Sequence, residues 1–502
     1  MYKHGIEAEE KKTTYERPLA TSYGVQVVVG TAPVNLIKNP KEAVNCPVMV
    51  QSFEEAVKKL GYTDDWSYTL CQSMYASFQM FNVYPVIYIN VLDPDKHSKE
   101  TGVITYSVSD HQVELKEAGI LLNTIKVNQG TGEMVGKAKV DISRVGETSS
   151  APILVVDKDY IVSFNDKGKV ILTLLSTGVG YAYDSIEVQC RYLEPDMVTE
   201  EEIIGAYNLE TGEETGLELV RRVYPMFHLS PGLILAPGWS QKPNVGAAMQ
   251  EKCTEINGVF RCECVLDLDT ATTGKYSECG TVKKQNGYTD PHAIVLWPEL
   301  LTGGKHMAFS AAYGAMASYY TATNGDVPYL YPSNRLLNVE GAVLADGTEI
   351  TLDQTQAAYL NGDGIVTAIN DGGWRSWGNN TGCYPENTDP KDYRIACRRM
   401  FSFVANYFIR QYQSRLDASM NRRTIDDIVN SFNIWGNSLV SQGMCAGLRM
   451  EYDESENDNE SLLNGHVKVK IYLAPYTPLE YILASEEFDM TALQASIVGG
   501  EE

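Results

Sequence analysis

Between His97 and Glu200 the helical period that runs through the rest of this chain disappears, and no single continuous domain accommodates such a change. Short β-rich runs recur there instead, at 103–107, 111–115, 118–126, 134–142, 152–156, 160–164, 168–175 and 185–193. Turn signals such as Asn165-Asp-Lys-Gly168 divide them, and Ile186, Val188, Cys190 and Tyr192 alternate with polar neighbours. Several short strands at this spacing predict a small β-barrel or β-sandwich. Upstream the pattern is different. Val25–Val29 reads as a strand, Ser52 as the cap of a helix to Leu60, 65–81 as an amphipathic helix, and the nearly continuous apolar run Pro85–Leu92 as a buried strand. Helices and strands alternate again after residue 200, so the β-rich stretch is an insertion into an α/β unit.

The resumed pattern comprises a strand at Gly232–Ala236, a helix at 244–256, strands at 260–268 and 293–297, and a helix at 306–321. A third α/β segment opens near Ile365. Its helix at 392–415 carries the apolar stripe Met400, Phe403, Val404, Tyr407 and Phe408. A second helix is predicted to start at Thr424, with Asp427 completing a capping box, and to bury Ile425, Ile428, Phe432 and Leu439. Strands at 446–452 and 466–473 close this part. The expected fold class is a multidomain α+β or α/β protein with mixed-sheet core domains, an inserted β-barrel or β-sandwich, and extended terminal arms. Its expected parts are an N-terminal arm 1–22, a discontinuous middle domain 23–96 and 200–345, an inserted outer domain 97–199, a C-terminal core 346–478 and a C-terminal arm 479–502. A chain of 502 residues is long enough for about three domains.

A net charge of −24 argues against broad binding to nucleic acid or docking on an anionic membrane. The N-terminus has no signal-peptide pattern, and no apolar run approaches a membrane span. Ten scattered cysteines fit a reducing cytoplasm. Chemical motifs fail in detail. Gly130-Thr-Gly132-Glu-Met-Val-Gly136-Lys137 lacks P-loop spacing, and Ala138 stands where a hydroxyl is needed. Cys253, Cys262, Cys264 and Cys279 lack paired knuckles and are expected to be core thiols. Gly238-Trp-Ser240 is not a nucleophile elbow. The acidic stretch Glu451–Glu460 departs from the EF-hand pattern and reads as a hairpin loop. One segment stands out. Lys391, Arg394, Arg398, Arg399, Arg410, Arg415, Arg422 and Arg423 face only Asp392 and Asp417 between them, a local +6 in an acidic chain. It reads either as a solvated helix face or as a docking face for an acidic partner.

These residues can be set beside a family. Gly5-Ile-Glu-Ala-Glu-Glu10 followed by Ser22-Tyr-Gly-Val-Gln-Val-Val-Val-Gly30-Thr-Ala-Pro33 resembles the start of contractile-tail sheath proteins. Pro231-Gly-Leu-Ile-Leu-Ala-Pro-Gly238, Tyr331-Pro-Ser-Asn334, Leu360-Asn-Gly-Asp-Gly-Ile365 and Trp377-Gly378 resemble further landmarks of that family, in order along nearly the whole chain. Asn379-Asn380 depart from it, because many relatives carry an arginine there. The resemblance implies a structural subunit rather than an enzyme. Such subunits form a homo-oligomer of sixfold rings, stacked helically around an inner tail tube and bounded by baseplate and tail terminator proteins. Contraction drives the tube through a bacterial envelope, for phage genome ejection or bacteriocin killing. No cofactor, metal, direct nucleic-acid contact or membrane insertion is implied. The expected location is a virion tail or phage-tail-like particle, made in the bacterial host cytoplasm.

Terminal arms of the family cross into neighbouring subunits and complete a sheet there. The strand-capable pieces here are Ile6–Ala8 and Met490–Val498, so Ile6, Ala8, Met490, Leu493, Ile497 and Val498 are the candidate linking residues. The basic segment 391–423 is expected to face the inner tube. Two other readings stay open: a cytosolic α/β enzyme with a β-barrel substrate domain, and a non-contractile filament or shell protein.

Overall fold

The computed structural model describes residues 19–20, 22–129, 153–165 and 168–498. Its centre is one mixed sheet of nine strands. In spatial order these are Arg335–Leu336, Trp374–Trp377, Ile365–Asn370, Ala293–Leu296, Glu263–Asp267, Leu233–Leu235, Gln26–Gly30, Val86–Asn90 and Pro47–Val50. The six inner strands from Ile365–Asn370 to Val86–Asn90 run parallel, and antiparallel strands close both sides. Their apolar runs lack alternation because both faces are covered, as in any parallel sheet packed between helices. Gln26–Gly30, Val86–Asn90 and Glu263–Asp267 are buried throughout. The Phe309–Thr323 helix, rich in alanine, is buried along most of its length.

The sheet places one expected boundary differently. A division at 345/346 falls inside it, because Ile365–Asn370 hydrogen-bonds to Ala293–Leu296. The separate C-terminal body begins later. Its core gathers Met400, Phe403, Phe432, Leu439, Leu448 and Met450, apart from the core of the sheet. Long-range pairing is invisible to local patterning, and a buried parallel strand looks the same whichever neighbour it joins.

The β-rich stretch forms two small antiparallel sheets around a core of its own. Ile153–Leu154, Lys126–Gln129, Ser185–Gln189 and Ile104–Ser107 make one, and Tyr160–Phe164, Val170–Leu174 and Gln112–Glu114 the other. Ile186 and Val188 point inward as their alternation requires. The run at 118–126 is mostly a turn, with Ile120 bridged to Tyr192, and the strand starts at Lys126. The run 134–142 lies outside the described residues, as does the Gly130–Lys137 motif. Entry and exit strands pair at the neck, Ser98–Glu100 against Arg191–Leu193. There the buried His97 imidazole meets both Glu202 carboxylate oxygens at 2.9 Å.

Two further differences are local. The helix expected over 65–81 starts at Leu70 and widens into a π-helical stretch at Tyr75–Met80. The helix expected to start at Thr424 is capped by Asn421, whose side chain accepts the Thr424 N–H at 3.0 Å, and it runs Arg422–Ser441. Asn is as good a cap as Thr, and it sits where the chain is still extended.

Candidate assembly interface

The C-terminal body is a helical hairpin, Ile395–Tyr412 and Arg422–Ser441, packed on the two-stranded sheet Gly447–Glu451 and Lys470–Ala474. The acidic stretch between those strands is a hairpin connection. It is steadied by Lys468 and Lys470, both paired with Glu456. Beyond Ala474 the chain leaves this body. Residues 475–489 have no regular secondary structure, and Met490–Val498 is a helix.

This helix corrects the strand expected at Met490–Val498. Ala492, Leu493, Gln494 and Ala495 are good helix formers, and Asp489 accepts the Ala492 N–H at 2.9 Å to cap the first turn. Met490, Leu493 and Ile497 consequently share one helical face rather than one strand face. Ile6 and Ala8 lie outside the described residues. For Val498 the backbone alone is described.

From Leu479 onward the chain exposes an unusual amount of apolar surface. Leu479, Tyr481, Ile482, Leu483, Phe488 and Ile497 are each at least 70% exposed. Single exposed hydrophobics need no explanation, but so many within one segment of about twenty residues mark an interaction segment.

The base of this segment is held firmly. Tyr331 Oη donates to the Tyr476 carbonyl at 3.0 Å, and Asn379 Nδ2 donates to Glu480 at 3.0 Å. Arg394 also pairs with Glu480 and donates to Asn380 Oδ1 at 3.1 Å. Asn379 and Asn380, the departure from the family pattern, thus form part of this clamp. The N-terminal segment is rooted by contacts far away in sequence. Ser22 N–H and Oγ donate to Asp326 at 2.9 and 2.7 Å, and the Tyr23 ring lies edge-on to Phe403 and beneath Arg410.

The eight basic residues do not form one surface. Arg398 and Arg399 are buried, which removes them from any docking face. Arg398 pairs with Asp392, as does Lys391. Arg399 donates to Thr321 Oγ1 at 3.0 Å and faces the buried Glu263, which also accepts from Ser402 Oγ at 2.6 Å. Burial would raise the Glu263 carboxyl, but His292, Ser402 and Arg399 together hold it below its usual value. Lys391 and Arg394 are half-buried, and Arg394 belongs to the clamp. Arg410 is half-buried over Tyr23, and only Arg415, Arg422 and Arg423 stand out at the far end of the hairpin. A count of charges along the sequence reads composition, whereas helical rotation turns Arg399 toward Thr321 and Glu263 and leaves Arg398 buried beside Asp392.

No family model matches the sequence. It is 23% identical to the tail sheath protein of Burkholderia phage BcepMu, over 97% of this chain and 96% of that one. A putative prophage major tail sheath protein of Pseudomonas aeruginosa strain UCBPP-PA14 is 24% identical over 54% of this chain and 68% of its own length. Among solved structures, the 6-fold symmetrised baseplate of the anti-feeding prophage superposes with a TM-score of 0.56, at 13% identity, covering 97% of this chain and 99% of the matched one. The sheath complex of an extracellular contractile injection system, PVC, in its contracted state gives 0.55, at 13% identity, covering 98% and 99%.

The chain resembles contractile tail sheath proteins. At these identities the structural likeness carries the fold, and the sheath-like landmarks acquire a spatial meaning within it. Asn361 Nδ2 donates to the carbonyls of Ile365 and Trp377, each at 2.9 Å. Gly378 N–H donates to Ser333 Oγ at 3.0 Å, and Asn334 N–H to the Ser376 carbonyl at 2.7 Å. The Ser-Asn, Leu-Asn-x-x-Gly-Ile and Trp-Gly landmarks therefore meet at one side of the sheet, next to the arm clamp. Gly364 is required there. Its backbone is left-handed, and a Cβ would lie 2.6 Å from the carbonyls of Thr381 and Tyr384. Those loops are drawn in by Lys283, whose buried ammonium donates to the carbonyls of Asp363, Gly382 and Tyr384 at 2.6–2.8 Å.

The strand ends of a parallel sheet are where an α/β enzyme would place its chemistry. Here a cleft of about 180 Å³ is lined by Asp267, Glu299 and His306. Its polar groups are turned on one another. Asp267 accepts from Ser310 N–H and Oγ and from Ser240 Oγ, and Glu299 accepts from Thr270 Oγ1 and meets His306 Nδ1 at 3.2 Å. Burial pushes the Asp267 carboxyl up to about 6. The arrangement ties a strand to the start of the Phe309–Thr323 helix. Cys253, Cys262 and Cys264 are buried thiols, all raised by burial.

Proposed function

We propose that this chain is the sheath subunit of a contractile tail or tail-like particle. Copies stack as sixfold rings around an inner tube, bounded by a baseplate and a terminator, and contraction drives the tube through a bacterial envelope. The single observation that carries this reading is the segment from Leu479 to Ile497: clamped at its base, with two apolar stretches flanking an acidic one, and exposed among the described residues. A chain that keeps such a segment in water is built to bury it elsewhere. The full-length likeness to tail sheath proteins supports the same conclusion. In this reading residues 479–484 add to the free edge of a neighbour's Lys470–Ala474 strand, where β-augmentation would satisfy their backbone groups. The β-rich insertion lies at outer radius. The exposed part of the basic segment is reduced to Arg415, Arg422 and Arg423 and meets an acidic partner.

The test is electron microscopy of the purified full-length chain after co-expression with a tube protein from the same gene neighbourhood. Ringed tubes with sixfold end views are the expected result. A monodisperse monomer under all conditions would overturn the proposal.

A further inference from the structure

The turn between the two long helices and the start of the second, together with Tyr224, Val259 and Phe260 of the sheet-bearing part, wall a groove of about 620 Å³ at the edge of the C-terminal body. Buried or half-buried Phe260, Phe408, Tyr412, Ile425 and Ile428 line it. Leu416, Met420 and Val467 border it, and Leu416 is 72% exposed. An apolar groove this size lies in the range of specific binding sites. Arg415 lines it too, while Arg422 and Arg423 open the helix whose Thr424 lines it. Asp417 is the one carboxylate among its described lining residues, and His466 stands opposite on the hairpin connection. Arg422 is engaged with Asp426 and Glu454, whereas Arg415 and Arg423 make no ion pair among the described residues.

The same chain carries a segment of complementary character. Glu486, Glu487 and Asp489 lead into the Met490–Val498 helix, and Met490, Leu493 and Ile497 form its apolar face at i, i+3 and i+7. That spacing is the signature of a helix laid in a groove. Acidic residues before the first turn also suit the helix itself, since they oppose its positive N-terminal end. Among the described residues Met490, Leu493 and Ile497 stay exposed, and the groove is open to solvent.

Chain direction joins the two features. A neighbour's residues 479–484, added antiparallel to Lys470–Ala474, travel from Ala474 toward Lys470. Continued further, they reach Gly465, His466, Val467 and Val469, which line the groove. We propose that this groove receives residues 486–498 of a second copy of the chain, with the apolar helix face inward and the acidic lead against Arg415, Arg422 and Arg423. The inference rests on the arm-linkage reading above and adds the surface that receives the arm. Plug and groove lie on different parts of one subunit, so the contact is heterologous and propagates as a ring or an open helix rather than closing a dimer.

Cross-linking of full-length chains tests it. Leu493→Cys and Met420→Cys are prepared with different tags, mixed under assembly conditions and oxidised. The native cysteines are buried apart from the partly exposed Cys46, and wild type serves as the control. A disulfide dimer carrying both tags is expected, at least about tenfold above either preparation alone. Arg415→Glu should lower that yield about tenfold, and Glu487→Lys should restore it, as for a cross-interface charge pair. Ile497→Cys with Leu416→Cys is the second pair, should one variant of the first fail to fold. Absence of the mixed dimer from polymers that still form overturns the proposal while leaving arm linkage intact. A chain carrying both Leu493→Cys and Met420→Cys that closes on itself as a disulfide monomer at every concentration also overturns it. So does an Arg415→Glu chain that cross-links normally but fails to coat the inner tube, because the basic rim then serves the tube. If truncation of the arm leaves polymerisation untouched, the arm-linkage reading itself has failed.

Discussion

Truncation after Ala484 should separate folding from assembly. The cut keeps Tyr476 and Glu480, and with them the Tyr331, Asn379 and Arg394 clamp. The described residues it removes, 485 to 498, are exposed wherever their side chains are described. Folding stability should therefore change by less than about 0.5 kcal/mol, the range of surface changes that touch nothing. For a chain of this size the melting temperature should move by less than about 2 °C. Assembly is another matter. Burying Phe488, Met490, Leu493 and Ile497 at roughly 1.5–3 kcal/mol each yields about 6–12 kcal/mol per arm. Ordering the five residues 485–489 costs about 5–10 kcal/mol of backbone entropy, while the helix beyond is already formed. A surplus of even 1–2 kcal/mol per contact raises the critical concentration about tenfold when lost. Thermal melting and sedimentation across a concentration series measure both quantities on one preparation. Polymerisation at the wild-type concentration would refute the linkage role. A fall of about 5 °C or more in melting temperature would show that the arm packs on its own body.

Three further outcomes follow from buried polar groups. Lys283→Met should leave three carbonyls without their donor and cost roughly 3–6 kcal/mol, read by urea denaturation. Arg399→Met should destabilise by about 1–3 kcal/mol, because Thr321 Oγ1 loses its donor and Glu263 loses one of the groups that offset its burial while keeping His292 and Ser402, and adding Glu263→Gln should recover part of the loss in the same assay. For Asp267 the folded carboxyl titrates near 6 against 3.8 unfolded, so the folded state holds a proton that the unfolded chain has released between those values. Its contribution is greatest below pH 4 and declines as pH rises to about 6, by up to about 3 kcal/mol. Asp267→Asn should remove that slope, seen as the difference between wild-type and variant stability across pH 4–7.

What the sequence shows well is what depends on near neighbours. Ser52 caps its helix through Glu55 N–H as its position suggests, and the alternation of Ile186 and Val188 places them in the core of the β-rich unit. Asn421 was harder to pick out because two good caps, Asn421 and Thr424, stand three residues apart and only backbone conformation separates them. Met490–Val498 has apolar residues that fit a short strand as well as a helix, and the deciding contribution comes from Asp489 and the alanines. The joining of Ile365–Asn370 to the central sheet depends on a pairing more than sixty residues away, which no window contains. For the basic segment, charge counting located a dense cluster but not its direction. Burial of Arg399 against Thr321 and Glu263, and of Arg398 beside Asp392, follows from tertiary packing that the sequence does not display. The groove beside Leu416 was missed altogether. Its signal was the exposed-looking turn Leu416–Met420 between two amphipathic helices, apolar where a solvated turn would be polar.

Electron microscopy of purified particles containing this chain tests the central claim most directly, by measuring sheath length before and after a contraction trigger such as mild acid or denaturant. Two discrete lengths around one inner tube, with the shorter sheath wider and the subunit fold retained in both, are the expected result. A single length under every condition, or particles that lack an inner tube, would contradict it.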